Sequence, residues 1–173
     1  MTRTLFLLRH AKSSWNDPTL EDFDRPLARR GQEAAPLMGQ EMARRGWLPD
    51  LALVSAALRT RQTWDLVAPQ LPHDIAVTFD ETIYEAPAER ILAAIRKVPA
   101  QVTSLVVVGH NPGFENLTEM LAAPDGNREA MAAMREKFPT AALARFSCDG
   151  EWASLGPGGS VLTDFLTPRG LGR

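Results

Sequence analysis

A chain of 173 residues suits one domain with a sizeable core and leaves little room for a second. With 45% hydrophobic and 23% charged residues it has the composition of a globular core rather than of a disordered segment, and no apolar run approaches the roughly 18–20 residues that span a bilayer. A net charge of −2 argues against a general nucleic-acid binder, and a single cysteine, Cys148, excludes an internal disulfide and a multi-cysteine metal site and fits a reducing cytoplasm.

In chain order, residues 5–8 are apolar without alternation and predict a strand buried on both faces. The same run is too short for the roughly 7–15-residue core of a signal peptide. Residues 9–26 are polar and turn-rich, with Asp17-Pro18 and Arg25-Pro26. Residues 28–45 pattern as a helix with Ala34, Ala35, Met38 and Met42 on one face. Pro36 should kink that helix or mark a later start, and Gly46 should stop it. Residues 51–54 predict a second strand, 57–68 a helix ending before Pro69, and 75–79, alternating and β-branched, a third strand. Pro87 suits the start of a helix with Ile91, Leu92 and Ile95 on its core face. Residues 105–108 predict a fourth strand. Phe114, Leu117, Met120 and Leu121 form the apolar face of the next helix, and 127–137 predict another. The tail, over 141–147, 151–155 and 160–166, reads as a β-meander. The order β-α-β-α-β-α-β-α followed by strands predicts an α/β fold: a three-layer α/β/α sandwich whose central sheet is mostly parallel, with an antiparallel edge from the C-terminal strands.

Polar side chains gather where these strands end. Arg9-His10 follows the first strand, 55–59 (Ser55 to Arg59) the second, and Gly109-His110-Asn111-Pro112 the fourth. In open parallel sheets, ligands bind in the crevice at the carboxyl ends of the strands. Two of the three histidines are therefore placed at one edge with two arginines. Two guanidinium groups and two imidazoles without clustered carboxylates make a poor cation site and a good oxyanion site, because the planar donors of Arg match phosphate oxygens in pairs. A neutral imidazole in line with phosphorus can act as a nucleophile. The helix starting near Ala57 adds its N-terminal N–H groups to the same edge. Lys12 and Asn16 lie in the loop after His10, within reach of a ligand there.

The segment Leu8-Arg9-His10-Ala11-Lys12 resembles the opening motif of the histidine phosphatase (phosphoglycerate mutase-like) superfamily, and Ala11-Lys12 is similar to its SixA-like phosphohistidine phosphatase branch. Further likenesses follow in order: Asp24-Arg25-Pro26-Leu27, Arg30-Gly31-Gln32-Glu33-Ala34, the stretch from Ser55 to Thr63, Ile83-Tyr84-Glu85-Ala86, and the stretch from Val108 to Gly113. The resemblance implies a phosphoglycerate mutase-like fold, one domain over 1–173 without a cap, no cofactor and no metal. It implies His10 as the phosphorylated nucleophile, and Arg9, Arg59 and His110 as the rest of the phosphate pocket. It also places Asn16 where related mutases contact substrate; many members carry a general acid for an alcohol leaving group, for which Glu85, following the third strand, is the local candidate, a plain polar loop residue being the alternative. The SixA-like branch does not clearly carry that acid, which suits a phosphohistidine substrate: its P–N bond is labile and the leaving imidazole needs less help than an alkoxide.

These readings imply a cytoplasmic phosphatase acting on a phosphorylated protein, such as a phosphorelay-type histidine domain, with neither nucleic acid nor membrane as partner. A small-molecule phosphomonoester phosphatase and a non-catalytic phosphoryl-binding module are the alternatives. A metal hydrolase has too few ligands in two histidines. Outside the set, His73 reads as a solvated turn residue, the four tryptophans as packing or rim residues, and Cys148 as an inert core residue. Arg29, Arg30, Arg44 and Arg45 read as solvated helix charge, and Arg61 has no assignment.

Overall fold

The computed structural model describes residues 1–171. Its strands are β1 (Thr2–Arg9), β2 (Leu51–Ser55), β3 (Ala76–Asp80), β4 (Ser104–Gly109), β5 (Leu143–Asp149) and β6 (Ser160–Leu166). Its helices are α1 (Arg29–Arg45), α2 (Leu58–Val67), α3 (Ala88–Arg96), α4 (Gly113–Leu121), α5 (Arg128–Glu136) and the short α6 (Pro168–Leu171). The sheet order is β3-β2-β4-β1-β5-β6. The β1–β4, β4–β2 and β2–β3 pairs are parallel, and the β1–β5 and β5–β6 pairs antiparallel. The fold is the mixed α/β sandwich expected, mostly parallel with an antiparallel edge.

Strands β1 and β4 are apolar on both faces because both faces are covered. Leu5, Leu7, Leu105 and Val107 pack under the core faces of α3 and α4. Phe6, Leu8, Val106 and Val108 meet Ala35, Met38, Met42 and Trp64 of α1 and α2 on the other side. Burying side chains of this kind is worth about 1.5–3 kcal/mol each, which explains how α1 tolerates Pro36. The helix neither restarts there nor ends, although proline in a helix interior costs about 3 kcal/mol. Gly46 stops it in the left-handed conformation at φ 72°.

One expected strand does not form. Residues 152–154 make a turn of 3-10 helix, because Trp152 is buried and its indole Nε1–H donates to the Val102 carbonyl at 2.7 Å. The antiparallel edge is therefore β5 and β6 alone.

Strand register positions the chemistry. Arg9 pairs with Gly109, and Val54 with Val108, so β1, β2 and β4 end level with one another. The His10 N–H donates to the Gly109 carbonyl at 3.0 Å. Two close approaches then hold the loops. A Cβ on Gly31 would lie 2.2 Å from the Lys12 carbonyl oxygen, and one on Gly113 would lie 2.3 Å from that of Ala86. Gly31→Ala is therefore expected to push α1 away from the segment that carries His10. Overpacking of this kind costs about 1–3 kcal/mol. A urea melt measures it, and a stability equal to that of the native chain contradicts the contact.

Candidate active site

Arg59, His110 and His10 are almost withdrawn from water, with 2%, 2% and 7% of their surface exposed. The Nδ1 of His10 lies 2.8 Å from the carbonyl oxygen of Ala11, its own neighbour. A carbonyl can only accept, so Nδ1 carries the proton and Nε2 the lone pair. Burial drives the His10 pKa down to about 3; the Ala11 hydrogen bond opposes this, and the charges of Arg59, Arg9 and Arg25 add to it. His10 is thus neutral at physiological pH, with its lone pair placed on Nε2 by the backbone.

His110 stands against it with ring centroids 5.4 Å apart. Its Nε2 is 2.7 Å from Ser55 Oγ, at the end of β2. Its Nδ1 is buried without a hydrogen-bond partner among the described residues, 3.4 Å from Glu85 Oε1. Burial, followed by the nearby His10 and Arg59, lowers the His110 pKa to about 2, with Asp22 opposing. A phosphoryl dianion has the opposite effect on an imidazole, favouring the protonated, donating form.

Arg59 sits on the first turn of α2, where the helix field also favours anions. It is clamped by two carboxylates. Nη1 donates to the Asp22 carbonyl at 2.7 Å, and Nη2 donates to Asp22 Oδ2 at 2.9 Å and to Glu85 Oε1 at 2.7 Å. Glu85 holds φ at 48°, a left-handed conformation uncommon for a side-chain-bearing residue. Arg9 Nη1 donates to the Phe138 carbonyl at 2.9 Å, which Asn111 Nδ2 shares at the same distance. Burial lowers the Arg9 pKa, while Glu115 and then Glu85 oppose.

The cup therefore unites Arg9, His10, Arg59, Glu85 and His110 from four separate segments. Lys12 and Asn16 remain exposed in the loop after β1, and no side-chain hydrogen bond ties either to the cup among the described residues. The absence of clustered carboxylates expected from the sequence needs correction, since Asp22 and Glu85 both meet Arg59. Asp22 is the carboxylate that the sequence pattern does not reveal. It also accepts from Arg25 Nη1 at 2.9 Å and from the Tyr84 hydroxyl. Burial raises its pKa, but the hydrogen bonds from Tyr84, Arg25 and Arg59 outweigh this and bring it to about 2. Burial and then Asp22 push the Tyr84 pKa up to about 12. Nothing in the sequence separates Asp22 from the acidic residues around it. Tyr84, the chain's one tyrosine, beside Glu85, was the available signal. Cys148 is buried, and burial raises its pKa to about 11, as suits an inert thiol.

Depressed imidazole pKa values have a consequence for stability. The ordinary value is 6.5, so as pH falls below it the unfolded chain takes up protons that buried His10 and His110 refuse. Stability is then fullest above about pH 6.5 and declines toward about pH 3. Thermal melts should show a fall in Tm between about pH 6.5 and 5, above the usual carboxylate range, and His110→Asn should lessen it. A flat Tm in both proteins contradicts the neutral pair.

An α/β sheet that gathers two arginines and two histidines at its carboxyl edge has the architecture of the phosphoglycerate mutase-like phosphatases. The family profile described as the histidine phosphatase superfamily (branch 1) matches residues 5–91. An uncharacterized protein of Mycobacterium tuberculosis is 38% identical over 94% of this chain and its own full length. Among solved structures, a candidate phosphohistidine phosphatase SixA from Nakamurella multipartitia superposes with TM-score 0.82 at 32% identity, covering 97% of each chain. Another, from Agrobacterium tumefaciens, gives TM-score 0.78 at 33% identity over 96% of this chain and 98% of its own. The chain belongs to the histidine phosphatase superfamily, in its SixA-like branch. No helix among the described residues is long and apolar enough to cross a membrane.

Proposed function

We propose that the protein is a metal-independent phosphohistidine phosphatase that works through a phosphorylated His10. The observation that carries this reading is the hydrogen bond from His10 Nδ1 to the Ala11 carbonyl, which leaves Nε2 as an unprotonated nucleophile inside a cationic cup. Nε2 attacks phosphorus in line. The P–N bond of the substrate breaks, and its electron pair stays on the leaving imidazole, which departs neutral when its other ring nitrogen bears a proton. Arg9, Arg59 and His110 hold the three non-bridging oxygens and offset the developing charge. Water then attacks the phosphoenzyme, releases phosphate and restores His10.

A protein-borne phosphohistidine, as on a phosphorelay-type domain, is the preferred substrate. Glu85 is engaged by Arg59, which suits it to accepting hydrogen bonds rather than to protonating an alkoxide. The turn and loop between β3 and α3 span only residues 81–87, which favours a single uncapped domain whose cup admits a side chain presented on a protein surface. Lys12 and Asn16 would contact the substrate outside the phosphoryl group.

A second reading, a small-molecule phosphomonoester phosphatase of the same superfamily, draws on Glu85 lying 3.4 Å from His110 Nδ1, where a proton for an alcohol leaving group would be wanted. Incubation with a labelled phosphohistidine protein, a quench in base and mapping of the label decide the issue, with a panel of sugar phosphates run in parallel in excess chelator. Label on His10 with preference for the protein supports the first reading. Faster turnover of sugar phosphates overturns it in favour of the second, and loss of activity restored by zinc or magnesium overturns the metal-free claim.

A further inference from the structure

A cleft of about 630 Å³ lies beside the cup on the same edge of the sheet. Lys12, Arg30, Lys137 and Arg169 line it, with Glu136 as its one carboxylate and Phe165 among its apolar walls. Arg30 belongs to the first turn of α1 and Lys137 follows α5, so the cleft lies between helices on opposite faces of the sheet. All four cations are exposed, and among the described residues none is within 4.0 Å of a carboxylate. Their neighbours behave differently: Arg29, Arg44 and Arg45 on α1 and Arg135 on α5 each reach an acidic side chain. Like charges gathered without ion-pair partners repel one another, and the single carboxylate of Glu136 leaves the cleft net positive, so the arrangement favours a further anion.

Sheet topology places the cleft against the catalytic strand. Leu8 of β1 pairs with Leu143 of β5, and Leu143 with Leu166 of β6, so residues just before β5 and just after β6 lie at the carboxyl end of β1. Adjacent strands are about 4.8 Å apart, which puts the cleft roughly 5–10 Å across the edge from His10. The joining segment is shared. The Ala141 N–H donates to the carbonyls of both Arg9 and His10, and the Phe138 carbonyl accepts from Arg9. Lys12 is two residues from His10, at most about 7 Å along the chain.

We propose that this cleft docks an acidic segment of the protein that presents the phosphohistidine, a role that rests on the function proposed above. Carboxylates flanking the modified histidine would enter between Arg30, Lys137 and Arg169 while the phosphoryl group occupies the cup. The cleft selects an acidic peptide rather than nucleic acid, since the whole chain carries a net charge of −2 and the four cations form one local group. Complementary charge of this kind acts on encounter and on choice of partner.

The test compares two phosphohistidine peptides, one flanked by glutamates and one by glutamines, together with p-nitrophenyl phosphate as a small substrate. Expected is about a tenfold higher kcat/KM for the glutamate peptide, lying in KM and shrinking as salt is raised. In Arg30→Glu/Lys137→Glu/Arg169→Glu the preference should vanish while p-nitrophenyl phosphate turnover is unchanged. Equal kcat/KM for the two peptides in the native chain, or a preference untouched by the triple change, overturns the proposal. Fluorescence anisotropy of the unphosphorylated glutamate peptide gives a readout independent of turnover. If the peptide binds in a salt-sensitive way but neither phosphohistidine peptide is hydrolysed, the cleft stands and the phosphohistidine reading falls. A single-stranded oligonucleotide that binds more tightly than the glutamate peptide overturns the choice of occupant.

Discussion

Turnover of a phosphohistidine peptide by His10→Ala is expected to fall about 10⁴-fold or more, because a nucleophile that forms the covalent intermediate has no substitute. The fold should survive. Among the described residues the His10 side chain makes one hydrogen bond, to the Ala11 carbonyl, and its loss costs on the order of 1 kcal/mol, a few degrees in Tm. Removing a desolvated imidazole from beside three guanidinium charges also relieves a site that resists protonation. Phosphate should still bind, since Arg9, Arg59 and His110 remain. The measurements are steady-state turnover, base-stable label after substrate addition and a thermal melt. Turnover within tenfold of the native chain would falsify the nucleophile assignment, whereas inactivity with an unfolded far-UV spectrum would point to a structural role.

For Arg59→Ala the expected loss is about 10²–10³-fold in kcat/KM, together with weaker binding of phosphate and vanadate. The size follows from what the guanidinium neutralises. It donates to Asp22 and Glu85 at once, and Glu85 Oε1 also lies close to His110 Nδ1. On the proposed mechanism, removing it takes a phosphate donor away and leaves two carboxylates facing the incoming anion. Asp22 keeps Arg25 and Tyr84 as partners, but among the described residues Glu85 keeps no arginine or lysine within 4.0 Å, only the more distant charge of Arg9. Arg59→Lys restores the charge without the planar fork, so its rate should lie between the two. Phosphate affinity equal to that of the native chain in Arg59→Ala would remove Arg59 from the pocket. If Glu85→Gln in that background recovers phosphate binding, repulsion by Glu85 accounts for part of the loss.

The strand ends were legible early because short, fully apolar runs such as Leu5–Leu8 and Leu105–Val108 form only where both faces of a sheet are covered. A polar residue directly after such a run is carried to the sheet edge whatever its partners, which is why Arg9, His10 and His110 could be assigned to one place. Tail residues 151–155 depart from their strand-like pattern for the converse reason. Their pattern resembles a strand, yet burial of Trp152 and its bond to Val102, some fifty residues away in the chain, imposed a turn.

Amino-acid pattern was enough to specify a parallel α/β sheet with a cationic edge, since those features depend on local periodicity and chain order. The tautomer of His10, the clamping of Arg59 by Asp22 and Glu85, and the basic cleft next to Lys12 arose only when distant segments packed together. Hydrogen bonds and ion pairs depend on distances of a few ångströms, and such distances between residues far apart in the chain are set by strand register and helix packing, which periodicity does not encode.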